Sequence, residues 1–428
     1  MSELRYRPAD EATAAGPDRA DRPDRTGRPG VPHERDHHAD SRATADSRPA
    51  RDTGPRYDAD AEYKRPVPKP EGYLPGDSGG TAPPVELPDR GYWLRDRAGS
   101  SDLAQGRDPA QAPPLREASE GERADPIRAV VDRPDFRDPI DRRSPDRYGD
   151  PLTRPDGTRV PCFDGPPQRE QAGQGWTGDC GVIAALGAVA AHKPEELARR
   201  IRPQADGSYK VTLSETRQQR TGVSEPTGRD VEITVTPELP VYDGAPGEPA
   251  CATIDSETAW GAVAEKALAG ADETWTPERR ASWEDAWARM CAYDQARGIT
   301  KPRSGPAPTG YVRLHQGTTP WEQAEVLTQL TGQPAEVREF PHGSETWKIN
   351  RHIRAQLNEG KPVLVGSRQK EYDSEKLPYG LEAGHVYEVV GLEKGQILLR
   401  NPWNTDHPEP METVEFAHNM SRYYSTLS

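Results

Sequence analysis

Between Gly178 and Ala191 the chain reads GDCGVIAALGAVAA, an apolar run of small residues long enough for a buried helix, with Asp179 placed to cap its first turn. Pro194 followed by Glu195 and Glu196 predicts a second helix, proline first and acids in the opening turn. Alternating apolar positions over Gly207–Leu213 and Val231–Val235 predict the strands of a surface hairpin. Helical spacing returns over Thr258–Ala269. It recurs after Thr276 and Pro277, where Trp283, Trp287, Met290 and Cys291 fall on one face in a helix ended by Gly298.

A linker rich in proline and glycine, Lys301–Gly310, precedes a change of pattern. Thr319, Pro320, Glu322 and Gly332 supply a cap, a first-turn proline, the acid of a capping box and a left-handed stop, so they bound a helix between them. A further helix is predicted from Lys348 to Leu357, stopping at Gly360. Short β-rich runs then follow at Pro362–Val365, His385–Leu392 and Ile397–Arg400, the last two joined by the turn Glu393-Lys394-Gly395-Gln396. The pattern predicts an α+β fold, with a helical lobe over residues 148–305, a β-rich lobe over 306–428 and a cleft between them.

Composition changes the picture for the first third of the chain. Over residues 1–147 Arg-Pro-Asp fragments such as GPDRADRPDRTGRPG repeat with neither helical nor strand periodicity, and large apolar side chains are sparse. With 45 prolines and 29% charged residues in the whole chain, such a segment cannot bury enough apolar surface to offset the entropy of ordering. It is expected to be a disordered extension ahead of the folded region 148–428. The formal charge of −14 argues against nucleic acid as a partner, since phosphate binding needs clustered Lys and Arg. No stretch has the length and apolarity of a membrane span or a secretory signal, so a cytoplasmic protein, or one exported by a leaderless route, is expected. The four cysteines are too scattered for a disulfide framework and fit a reducing compartment or a thiol kept for chemistry.

Three segments carry candidate chemistry. In Gln174-Gly-Trp-Thr-Gly-Asp-Cys180-Gly, a cysteine opens a helix, where the positive end of the helix dipole favours thiolate, the nucleophilic form. Gln174, returning after a glycine-rich turn, can pair with the backbone N–H of Cys180 as an oxyanion hole. In Gly384-His385-Val-Tyr-Glu-Val, a histidine opens a strand that can face the cleft and serve as general base. In Leu399-Arg-Asn401-Pro-Trp403-Asn, Asn401 ends the neighbouring strand. There it can accept from the imidazole and fix its tautomer, while Trp403 covers that bond from water. Taken singly, a buried cysteine, an Asn-Pro turn and a core tryptophan are commonplace; their order on a predicted hairpin points to Cys-His acyl transfer.

Together these segments resemble calpain-type papain-fold cysteine proteases. The likeness runs from Gln174–Val189 through Trp260-Gly-Ala-Val-Ala-Glu-Lys-Ala-Leu-Ala to His385–Leu392 and Leu399–Trp403, within a match spanning roughly Tyr148 to Ser428. It implies a papain-like two-lobed core and an endopeptidase acting on proteins or peptides, with Cys180, His385, Asn401 and Gln174 as its catalytic set and Gly384 and Trp403 in support. Gly181 stands where calpains usually carry tryptophan, a departure in which the chain is closer to bacterial members. No EF-hand loop is present, and Gln171 occupies the place of a core calcium-site aspartate. Asp255 is near the other expected acidic position, so calcium is the one metal the resemblance leaves open, and no cofactor is otherwise implied. A deamidase or transglutaminase using the same Cys-His logic, and a catalytically inactive protease-fold binding module, are the alternatives.

Overall fold

The computed structural model describes residues 124–137, 144–218, 222–243, 249–250, 252, 258–296, 302–370 and 375–428. Most of the expected extension, and Asp255, lie outside the described residues. The first half of the fold comprises β1 (Ile127–Val131), β2 (Arg147–Gly149), α1 (Cys180–His192), α2 (Pro194–Arg200), β3 (Ile201–Pro203), β4 (Tyr209–Gln218), β5 (Val223–Val235), β6 (Leu239–Val241), α3 (Trp260–Ala269) and α4 (Pro277–Ala296). The second half comprises α5 (Gly310–Leu314), α6 (Pro320–Thr331), β7 (Ala335–Glu339), α7 (Ile349–Asn358), β8 (Leu364–Ser367), β9 (Val386–Glu393), β10 (Gln396–Arg400), α8 (Thr413–Asn419) and β11 (Met420–Leu427). The fold is α+β.

One mixed sheet runs β10-β9-β8-β11-β7-β5-β4-β3, with β1 added parallel to β5 and every other pairing antiparallel. Along one edge β5 receives β7 at Val223 and Ser224 and β1 at Val231–Val235. β2 and β6 form a separate ribbon.

Two expectations are corrected here. Regular structure starts before Tyr148, because the run Ile-Arg-Ala-Val-Val at 127–131 is β-rich enough to pair, and Val131 is wholly buried against Gly270. A Cβ on Gly270 would fall 2.4 Å from the Val131 methyls, so that contact depends on glycine. The strands over 207–235 are not a surface hairpin either. Val211, Leu213, Ile233 and Val235 are buried beneath α6 and α3, and the long β4–β5 pair lies inside the sheet between β7 and β3.

The hydrophobic clusters do not divide at residue 305. One hydrophobic cluster contains α1, α3, β4, β5, α5 and α6 with Ala335, Leu364, Val386 and Leu427; a second draws on residues between Phe340 and Tyr424, including α7, β8, β9 and β10. Residues 310–335 pack with the first cluster because Tyr311, Leu314, Leu327 and Leu330 point back at α1 and the sheet. The α6 punctuation is as the sequence predicts. Thr319 Oγ1 accepts from Glu322 N, Glu322 Oε2 accepts from Thr319 N at 2.7 Å, and Gly332 turns left-handed at φ 70°.

α1 is buried on every side from Cys180 to Ala190, which its small side chains permit. Gly187 is essential to that packing: a Cβ there would fall 2.4 Å from the Arg400 guanidinium lying across the helix. Among the described residues no helix is long and apolar enough to cross a membrane.

Candidate active site

The β9–β10 hairpin builds one half of the site. Its turn is tight, with Lys394 and Gly395 both at positive φ, and its register sets Arg400 opposite Glu388. That register brings Asn401, one residue past β10, beside His385, one residue before β9. His385 Nε2 lies 2.9 Å from Asn401 Oδ1, and both side chains are buried. The amide orientation follows from its other partners. Trp403 N donates to Asn401 Oδ1 at 3.1 Å, and Asn401 Nδ2 donates to Asp406 O at 3.3 Å. With Oδ1 fixed as acceptor, Nε2 must carry the hydrogen, and Nδ1 keeps its lone pair.

The ring is held from several directions. Tyr387 meets it edge-on at 4.9 Å, and Trp403 lies tilted at 4.8 Å, itself about 37% exposed. Ser367 Oγ accepts from His385 N at 3.0 Å while Ser367 N donates to His385 O at 2.9 Å. Gly384 precedes the histidine at φ 61°, and a Cβ there would fall 2.4 Å from Gln369 Nε2, so the entry to β9 requires glycine. Burial pushes His385 down to about 4, against a smaller upward pull from Asn401, so the imidazole is neutral at ordinary pH.

The other half is the turn ahead of α1. Cys180 is the first residue of that helix, and its Sγ accepts from Val386 N at 3.4 Å, so the sulfur sits against the residue next to His385. The turn is tied to the hairpin a second time, Gln174 N donating to Pro402 O at 2.9 Å. Gln174 is half-buried and its Nε2 donates to Thr177 O at 2.6 Å, which leaves one of the two amide hydrogens for another acceptor. Asp179 does not cap the helix, contrary to expectation. Its carboxyl is wholly buried and close enough to that of Glu265 in α3 for each to shift the other's proton affinity.

Several residues around the site gave no sequence signal. His315 Nδ1 accepts from Gly178 N at 2.9 Å and its ring stacks on Trp176 at 4.7 Å, although the sequence around it suggested nothing. His407 Nδ1 accepts from Asn401 N at 3.1 Å. Glu388, wholly buried, lies between Arg169 at 2.9 Å and Arg400 at 3.7 Å. Arg400 in turn donates to Arg169 O at 2.7 Å, Ala172 O at 2.6 Å and Asn404 Oδ1 at 2.6 Å, so the segment leading to Gln174 is bound to the hairpin through charge. An inward-facing Glu in β9 opposite an Arg in β10 was the one clue the sequence offered to this clamp.

Gln171 Oε1 is taken up by Trp260 Nε1 at 2.8 Å and Gln168 N at 3.0 Å. Among the described residues no group of three or more His, Cys, Asp or Glu side chains converges as a metal site would. The chain matches no protein-family model, and no curated protein matches it.

Proposed function

We propose that the chain is a cysteine-type endopeptidase of papain-like, two-lobed architecture, resembling the calpain type, which cleaves protein or peptide substrates through a Cys180 thioester. The observation that carries this reading is the His385 Nε2–Asn401 Oδ1 bond, which assigns the lone pair to Nδ1 in a ring whose neighbour Val386 donates to the Cys180 sulfur. A neutral buried imidazole next to a thiol at a helix start is the resting form from which thiol-to-imidazole proton transfer can begin.

In the reaction, Cys180 gives its proton to His385 Nδ1 as the sulfur attacks the substrate carbonyl. The oxygen that becomes negative is stabilised by the Cys180 N–H and the remaining Gln174 amide hydrogen, helped by the positive end of α1. The C–N bond then breaks, with the imidazolium proton passing to the departing amine. A water deprotonated by His385 attacks the thioester, releases the acid product and restores the thiol. Asn401 holds the imidazole in one tautomer throughout, and Trp403 keeps water from the Nε2 bond.

The test is the purified chain against a peptide library with mass analysis of products. Backbone scission lost in Cys180→Ala and His385→Ala is the expected result. A gain of about one mass unit at glutamine, or an isopeptide link, identifies a deamidase or transglutaminase instead. Intact peptides in every arm leave a binding module.

A further inference from the structure

Asp179 and Glu265 are both 0% exposed. Glu265 Oε2 accepts from Ala252 N at 2.6 Å, and Thr177 also hydrogen-bonds its carboxyl. Among the described residues, neither Asp179 oxygen nor Glu265 Oε1 has a hydrogen-bond partner. Among the described residues no cation compensates the pair. The neighbouring Lys266 turns its ammonium the other way, to Thr236 O, Thr236 Oγ1 and Glu238 O at 2.7 to 3.0 Å. Two carboxylates cannot both stay ionised in contact and out of water.

We propose that Asp179 and Glu265 share one proton, and that this buried acid–carboxylate bond positions the turn bearing Cys180. The proton sits on Glu265 Oε1, since Oε2 is already occupied by the Ala252 N–H, and is donated to an Asp179 oxygen. Asp179 adjoins the nucleophile, so this bond anchors the start of α1, and with it the Cys180 N–H and sulfur, to α3 and to Ala252. Loss of the proton leaves two repelling charges at the base of the turn, and the helix start shifts. Burial raises the affinity of both groups for a proton, and the Asp179 charge raises that of Glu265 further, so the shared proton is retained at neutral pH.

Among the described residues the ionisable groups around the pair are few. Cys180 follows Asp179, and His315 touches the same turn through Gly178. The Cys162 thiol, whose backbone carbonyl accepts from Trp260 N, is pushed by burial up to about 12 and stays neutral. Asp179 and Glu265 are positioning residues, and the inference rests on the hydrolase reading only where activity is its readout.

The experiment combines two measurements on the full chain. The infrared spectrum at neutral pH is recorded for the natural protein and Glu265→Gln, and kcat and KM are measured from about pH 6 to about pH 10 for both, with Asp179→Asn and Glu265→Leu. An amide at 265 keeps a donor to Asp179 and an acceptor for Ala252 but has no proton to lose. A protonated-carboxyl band absent from Glu265→Gln is expected, with kcat in that variant within about twofold of the natural protein and free of its alkaline decline. Asp179→Asn, a donor towards Glu265, is expected to escape the decline likewise, while Glu265→Leu loses about tenfold in kcat with KM little changed. The amide variants and the band decide the matter even if Glu265→Leu does not fold.

Absence of that band in the natural protein, or an alkaline decline in Glu265→Gln equal to that of the natural protein, overturns the proposal. A natural protein that cleaves nothing yet shows the band, lost in Glu265→Gln, defeats the hydrolase reading and leaves the shared proton standing.

Discussion

The hairpin that carries His385 and Asn401 is fixed mainly by neighbours close in sequence, whereas the turn that carries Cys180 is fixed by side chains far along the chain. Asn401, Trp403, Asp406 and His407 all lie within a few residues of one another and of the β9–β10 register. The Cys180 turn instead leans on Glu265 from α3, His315 after α5, and Val386 and Pro402 from the hairpin itself. The two regions also differ in charge. The hairpin holds its buried carboxylate, Glu388, between two guanidiniums, while the turn holds two carboxyls with no cation beside them among the described residues. The ring's tautomer is set by residues near Asn401 in sequence, whereas the sulfur reaches its position only when distant elements have packed.

The comparison can be broken most sharply at its two ends. Cys180→Ala and His385→Ala are each expected to lower kcat/KM on a cleavable peptide by at least about a thousandfold, since members of such a set act as a unit. Equal activity in either variant would detach that residue from the chemistry. Glu388→Ala is next in size. It strands Arg400 and Arg169 beside an emptied buried site and should cost about 3 to 5 kcal/mol, read as a fall in the denaturant midpoint. An unchanged midpoint would show that charge does not fasten the hairpin to the Arg169–Gln174 segment.

Asn401→Ala should lower kcat by about a hundredfold with little change in KM, because the ring loses its tautomer control but not its substrate contacts. The smallest effect is a pH slope. His385 and His192 are both held by burial at about 4, below their ordinary 6.5, so the unfolded chain takes up protons there that the folded one refuses. Stability is therefore expected to fall as pH drops from about 6.5 towards about 4, by about 1.4 kcal/mol per pH unit for each histidine. The Asp179–Glu265 pair works in the opposite sense: its carboxyls bind protons more tightly folded than unfolded, and stability falls as pH rises above the ordinary carboxyl range. The two contributions oppose each other between the ordinary carboxyl range and about 6.5, so in thermal melts His385→Gln should weaken the loss of stability on the acid side and Glu265→Gln the loss that continues above about 6.5. A loss above about 6.5 that Glu265→Gln leaves unchanged would show that the carboxyl pair is not its source.

Much of this architecture is legible residue by residue. Thr319, Pro320, Glu322 and Gly332 mark α6 because capping is a matter of adjacent backbone groups. Glu393–Gln396 marks the β9–β10 turn because a two-residue turn needs positive φ, which Gly395 supplies. The place of β1 in the sheet, the burial of β4 and β5 and the allegiance of residues 310–335 to the first core were not legible, since each depends on which surface a segment meets. The sequence motif also suggested Asp179 as a helix cap. A buried partner on α3 outweighed that local preference.

Amino-acid order alone determined the α+β composition, the elements that bear Cys180, His385 and Asn401, and the pairing of the last two, because helix ends, hairpin turns and strand register are short-range properties of the backbone. Tertiary packing decided what surrounds the sulfur: the Val386 N–H, the His315 contact, the Arg169–Glu388–Arg400 clamp and the carboxyl pair behind Asp179. These contacts join residues whose separation along the chain carries no periodic signal, and the low dielectric that gives them their energetic weight exists only once the core has closed.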